Sequence, residues 1–358
     1  MKVACDYILA NIDVAVEEEQ DNEDCVSVQY VKAWMDLFVE LNGCITQDCL
    51  TKVVIPTVKS LVDLTKKIPV RKYGVWLIVQ MTLKYDEACI IGSIKGLILY
   101  CCQDLNWNIR LAICEEFPKI CGKLSKENCL DILYPEIVEF LNDVEILVRL
   151  TAIEIVLEIF DILEEEQIVA DFIPVVKLHL NMDLDDTCNY RMSRNIGKII
   201  FNLQHSSDNA AEISDVCLLY FKKLLDFEVP EIKRNVCFNL PGLYYLFNGE
   251  DIDFVAVIDK FAADKDVTIR LQVAKCFHEI VSINSKKKGD SLEFKDTFYA
   301  LLTDDDIEVQ KTIIANLDEY LRNFFRDDDF NDGSQNSKDS TGSDDGKENT
   351  RQDFYHEC

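Results

Sequence analysis

The stretch DLNWNIRLAIC, from Asp104 to Cys114, decides how this chain is read. An Asp is followed, after five residues, by a cation, and the residue just before the cation is Ile or Val. The theme returns as DVEILVRLTAI from Asp143, DKDVTIRLQVA from Asp264 and DDDIEVQKTII from Asp304, where Gln310 takes the cation's place. A looser copy is DDTCNYRMSRN from Asp185. Copies without the Asp fall at Val70-Arg71 and Ile232-Lys233, and a faint one at Val31-Lys32. The anchors at 32, 71, 110, 149, 191, 233, 270 and 310 are separated by 39, 39, 39, 42, 42, 37 and 40 residues. A steady internal period of that size marks a stacked array of like units.

Each period divides into two helical halves. Leu150, Ile153, Val156, Leu157, Phe160 and Leu163 recur at three-four spacing after Arg149, and Ile90, Ile91, Ile94, Leu97, Ile98 and Cys101 do so before Asp104. That spacing predicts amphipathic helices. Each unit then reads as helix A, a turn carrying the Asp, and helix B starting near the Arg. The turn carboxylate is expected to cap the free N–H groups of helix B. A period of about 40 suits HEAT and armadillo-type repeats and excludes the shorter tetratricopeptide and ankyrin periods. Only 12 Gly and 7 Pro in 358 residues argue against the many tight turns of an all-β chain. The expected fold is therefore all-α, an α-solenoid of about eight repeats over residues 1–325. Pro56, Pro135 and Pro174 should bend or begin A helices, and Pro118 and Pro241 should kink B helices. Glu17–Asp24 reads as an acidic loop of the first unit, and Lys286, Lys287 and Lys288 as a link between the last two.

From about Arg326 the pattern stops. Residues 326–358 are acidic and nearly free of aliphatics, so a disordered tail is expected there, with Ser343 in an acidic context. The whole chain has 65 acidic and 37 basic residues, a net charge of −28, which opposes nucleic-acid backbone binding as the main task. The N-terminus does not read as a signal peptide, and the apolar run Cys89–Cys102 is too short to span a bilayer. Fifteen Cys at apolar positions, such as Cys114, Cys237 and Cys276, read as small buried hydrophobes of a reducing compartment, cytoplasm or nucleus. There is no CxxC pair, and His179, His205, His278 and His356 stand apart, so neither metal nor cofactor is expected. No nucleotide-binding or hydrolase motif occurs, which points away from an enzyme.

The repeated positions are the candidate functional residues. Arg110, Arg149, Arg191 and Arg270 are expected to interleave between repeats with Asp104, Asp143, Asp185 and Asp264 as a ladder fixing register, some members being open to a partner. Trp107 lies in a turn, off the apolar stripe of either helix. It is either an exposed anchor for a protein partner or packed on the adjacent turn.

With these residues in view, a resemblance emerges. Asp104, Trp107, Ile109, Arg110, Leu111, Ala112, Ile113, Glu115 and Pro118 match the turn and second helix of HEAT scaffold subunits of protein phosphatase 2A. The segments VRLTAIEIVLEIFDI, IKRNVCFNLPGLYYLF and DKDVTIRLQVAKCFHEI resemble, in that order, repeats of the regulatory subunit 4 family of protein phosphatase 4. The resemblance covers roughly residues 95–325. It implies a non-catalytic scaffold or regulatory subunit whose A–B turns grip a serine/threonine phosphatase catalytic subunit, with Asp104, Trp107 and Arg110 at the contact. At Arg149 and Arg270 it implies the structural ladder. The chain departs from the pattern in having one such Trp, Gln310 for the last Arg, and fewer repeats. The competing expectation is a transport adaptor similar to importin-β, binding basic cargo by charge. A helical-repeat DNA glycosylase, which needs a basic concave face, is opposed by the net charge.

Overall fold

The computed structural model describes residues 1–21, 26–42, 44–204, 210–247, 252–288 and 292–324. The acidic tail expected beyond 325, with Ser343, lies outside the described residues, as do His205 and His356. Among the described residues all regular structure is helical. Helices follow in pairs: Lys2–Asp21 with Val26–Asn42, 47–61 with Ile68–Lys84, 87–102 with 107–121, 126–141 with Ile146–Glu158, 165–181 with Asp186–Gln204, Ala210–Leu224 with Pro230–Phe247, Phe254–Ala262 with Val267–Lys288, and 292–302 with 307–324. We refer to these as the first to eighth pairs and to their members as A and B helices. The fold is an α-solenoid of the HEAT and armadillo kind.

Local chemistry sets the helix ends. Thr46, Asp86, Ser125 and Asp253 each accept, through the side chain, the backbone N–H three residues on, which satisfies a donor that has no partner inside the helix. Pro56, Pro135 and Pro174 lie inside the A helices, at the second residue of Ile55–Leu61, Tyr134–Leu141 and Ile173–Asn181, where a change in the hydrogen-bond ladder accommodates the missing N–H. In the second, third and fifth pairs a π-helical turn, such as Leu50–Val54, leads into that last stretch of the A helix. Pro118 opens Phe117–Cys121 after a break at Glu115-Glu116, whereas the helix Pro230–Phe247 runs on through Pro241.

One apolar core runs through the pairs, because each unit buries its face on the next. This alters the expected stripe after Arg149. The helix stops at Glu158, Phe160 and Leu163 lie beyond it, and Leu150, Ala152, Ile153, Ile155, Val156 and Leu157 are all buried. A helix with neighbours on three sides has no broad wet face to leave polar. Of the acidic loop expected over Glu17–Asp24, residues 17–21 are instead the last turn of Lys2–Asp21, since nothing in Glu-Glu-Glu-Gln-Asp breaks a helix, and residues 22–24 lie outside the described residues. Lys286–Lys288 end the B helix of the seventh pair rather than linking two repeats. Cys114, Cys237 and Cys276 are buried free thiols. No helix among the described residues is long and apolar enough to cross a membrane.

Candidate functional site: the turn ridge

The A–B turns of successive pairs bring the repeated Asp and cation together across the repeat boundary. Asp104 forms an ion pair with Arg71 of the preceding B helix. Asp143 receives two bonds from Arg110, Nε at 2.6 Å and Nη2 at 2.7 Å. Asp264 takes Lys233 at 3.1 Å, and Asp304 takes Arg270 through Nε at 2.7 Å and Nη2 at 2.9 Å. Each of these Asp residues sits about thirty residues further along than its cation. The cation's own Asp offers its backbone carbonyl instead: Arg110 Nη1 donates to Asp104 O at 2.8 Å, Arg149 Nη1 to Asp143 O at 2.7 Å, and Arg270 Nη1 to Asp264 O at 2.9 Å. An Arg thus ties two adjacent turns at once, using the planar fork that suits paired oxygens. Gln310 Nε2 keeps the carbonyl half of the role, to Asp304 O at 2.6 Å, which a neutral amide can do without a following Asp.

The same Asp residues also shape their turns. Asp104, Asp143, Asp264 and Asp304 each accept, through Oδ1, the N–H two residues on, at 2.7–2.9 Å. The expected helix cap therefore belongs to another residue, Asn106 in the third pair and Asp306 in the eighth. The reason is that the carboxylate's other side is committed to the cation of the previous repeat. Arg270, helped by the Asp306 N–H, holds the Asp304 carboxyl below its ordinary range. Burial pushes the Asp143 carboxyl up, but Arg110 outweighs it and the net direction is down.

The ladder is interrupted in the middle. Asp185 caps its own helix through Cys188 N–H at 2.8 Å and is not paired with Arg149. Arg149 Nε donates to His179 Nε2 at 3.1 Å instead. Arg191 turns back towards the fourth pair, to Thr151 Oγ1 at 2.8 Å and to the Glu154 carboxylate. Two 42-residue spacings fall here, and the longer units displace the turn from the preceding cation.

His179 is fully buried. Its Nε2 accepts from Arg149, so the ring proton lies on Nδ1, which donates to Val175 O at 2.7 Å. Burial lowers its pKa, and the Arg149 charge adds to this. A histidine with a lowered folded pKa takes up a proton more readily when unfolded, so stability is lost as pH falls through the unfolded value near 6.5. Between pH 7.5 and 5.5 the wild type should lose more stability than His179→Gln, with a slope difference limited to about 1.4 kcal/mol per pH unit. Parallel urea midpoints for the two proteins across that range would refute this.

The solvent-exposed part of the ridge is made largely by residues other than Asp104, Trp107 and Arg110. Asp104 is buried and Arg110 is largely covered, both engaged with neighbours, so they support the ridge and present little surface. Trp107 is the first residue of its B helix, half-buried against the core. The exposed groups are the residues just after the turn Asp: Leu64, Leu105 at 85% exposure and Val144 at 86%. Asp63, like the later Asp residues, accepts the N–H two residues on, at 2.9 Å, and so turns Leu64 outward in the same way. An apolar row therefore crosses three successive turns, while the equivalent places in the seventh and eighth pairs are Lys265 and Asp305. Tabulating the residue after each turn Asp would have found it. Among the described residues no group of three or more His, Cys, Asp and Glu could hold a metal ion.

No known family's sequence model matches the chain. Human serine/threonine-protein phosphatase 4 regulatory subunit 4 is 21% identical over 318 residues, covering 81% of this chain and 36% of that protein. The chain is similar to a phosphatase regulatory subunit. The mouse protein of the same name is 20% identical over the same share of this chain. The chain spans about a third of the length of these curated relatives. Among solved structures, a Kap121p mutant aligns with a TM-score of 0.54 at 11% identity, covering 81% of this chain and 29% of that one, and supports the solenoid fold.

Proposed function

We propose that the chain is a non-catalytic regulatory or scaffold subunit that binds the catalytic subunit of a 2A/4-type serine/threonine phosphatase along its turn ridge and controls its activity or targeting. The observation that carries this reading is the row Leu64, Leu105 and Val144, aliphatic and solvent-exposed, on turns held rigid from beneath by the Arg–Asp ties. Rigid exposed apolar groups beside a half-buried aromatic suit a protein interface, because little side-chain order is lost on binding. The similarity to phosphatase 4 regulatory subunits supports a phosphatase catalytic subunit as that partner.

The test is affinity capture with the intact chain, with phosphatase activity measured in the eluate. A 2A/4-type catalytic subunit should co-purify, and Leu105→Glu with Val144→Glu should weaken that complex at least thirtyfold, about 2 kcal/mol or more. Both residues are exposed, so the unfolding midpoint should not move. Recovery of no phosphatase, or equal recovery by the double variant, would overturn the reading. Capture of basic cargo in its place would favour the transport adaptor.

A further inference from the structure

The B helices of the fifth, sixth and seventh pairs, Asp186–Gln204, Pro230–Phe247 and Val267–Lys288, lie side by side. Cross-helix bonds fix their alignment. Asn239 Nδ2 donates to Ser193 O at 3.2 Å, Cys276 Sγ to Cys237 O at 3.2 Å, and Tyr244 Oη to Asn284 Oδ1 at 2.6 Å. Arg194, Phe238 and Lys275 each adjoin a residue of these bonds, so the three stand abreast on neighbouring helices. Lys198, Tyr245 and Lys286 follow at offsets of four, seven and eleven residues, which keep to the same helix faces. All six are exposed, Phe238 at 50%. Lys287 adds a charge beside them, 4.7 Å above the Tyr245 ring.

Arg194, Lys198, Lys275 and Lys286 make no ion pair among the described residues. In a chain with 65 acids to 37 bases that is unexpected, because most cations have a carboxylate close by. Neighbouring cations illustrate the rule: Arg191 has Glu154, Lys233 has Asp264, and Arg234 has Glu231. Within the three B helices the acids are Asp186 and Glu231, at the turn ends, and Glu279, which is half-buried with its carboxyl pKa raised by that burial. A strip of positive charge with exposed aromatics therefore crosses the B-helix face of a strongly acidic protein.

We propose that this strip is a docking surface for an acidic peptide segment of a partner protein, one that carries aromatic or large aliphatic side chains among its carboxylates. Carboxylates meet Arg194, Lys198, Lys275 and Lys286, and the apolar side chains lie on Phe238 and Tyr245. Charge complementarity selects this occupant. A basic segment is repelled by the strip, and a polyphosphate chain has no apolar side chains to cover the exposed Phe238 and Tyr245 rings. The proposal stands independently of the ridge and of any phosphatase bound there.

The measurement is fluorescence anisotropy of a labelled random copolymer of Glu and Tyr titrated with the full chain in 0.15 M salt. Arg194→Glu with Lys275→Glu should weaken binding at least tenfold and Phe238→Ala about fivefold, while Leu105→Glu with Val144→Glu leaves it unchanged. Polyglutamate of the same length should bind more weakly than the copolymer. Equal binding by the charge-reversed variant at an unchanged unfolding midpoint would overturn the proposal. Tighter binding of a single-stranded oligonucleotide would assign the strip to nucleic acid. Tenfold tighter binding of a synthetic peptide of residues 326–358 would assign it to the chain's own acidic segment, and either result would overturn the partner peptide.

Discussion

Asp104→Ala should lower the free energy of unfolding by about 3–5 kcal/mol, read as a shift of the urea midpoint. The Arg71–Asp104 pair has both side chains at 5% exposure or less. Removing the carboxylate leaves the Arg71 guanidinium buried without its counter-charge, and that desolvation cost is not recovered. It also removes the acceptor of the Asn106 N–H, which shapes the turn. Asp264→Ala is the internal comparison and should cost clearly less, because Lys233 keeps Glu228 at 2.7 Å in water. Replacing Arg71 and Asp104 together by Leu should recover most of the loss, since neither charge is then buried alone. A loss below about 1 kcal/mol for Asp104→Ala would show that the pair is not a buried strut.

Phe277→Ala is expected to cost a similar amount, about 3–5 kcal/mol, by a different route. Phe277 is fully buried, edge-on to Phe294 at 6.0 Å between ring centroids and 5.7 Å from Tyr320. Those two rings belong to the eighth pair, so the cavity opens at the junction of the seventh and eighth pairs. In a one-dimensional array the damage should stay near that junction. Amide hydrogen exchange should speed up most in 292–324 and hardly change in the second to fourth pairs. Uniform acceleration along the chain would mean that the pairs unfold as one block.

The architecture was legible because it repeats. A turn Asp, a cation six residues later and two apolar helices per period describe a solenoid without any need to know which unit touches which. The partners of the cations were harder to foresee. Sequence proximity joins Arg110 to Asp104, yet Asp104 contributes its carbonyl while the carboxylate that Arg110 grips is Asp143, in the next unit. Inspection for aromatics singled out Trp107, whose ring is half-covered, and passed over Leu105 two positions earlier. The cations of the B-helix strip were hidden by composition. A net charge of −28 is an average, and Arg194 and Lys275 lie 81 residues apart in the chain although they stand on helices separated by one other.

The backward-turned Arg191 has a mechanical consequence. At most boundaries a buried or largely covered tie clips the turn edge of one repeat to the next. Between the fifth and sixth pairs the turn edge is held by Lys223, reaching Met182 O and the almost fully exposed Asp183. The same boundary is also stitched within one to two helical turns of that edge, by Asn235 to Tyr190 O and Ser193 Oγ, by Asn239 to Ser193 O and, in the core, by Tyr220 Oη to Asn189 Oδ1. The charge pair at the turn edge of this boundary is exposed, so added salt should loosen it while leaving the buried Arg71–Asp104 tie intact.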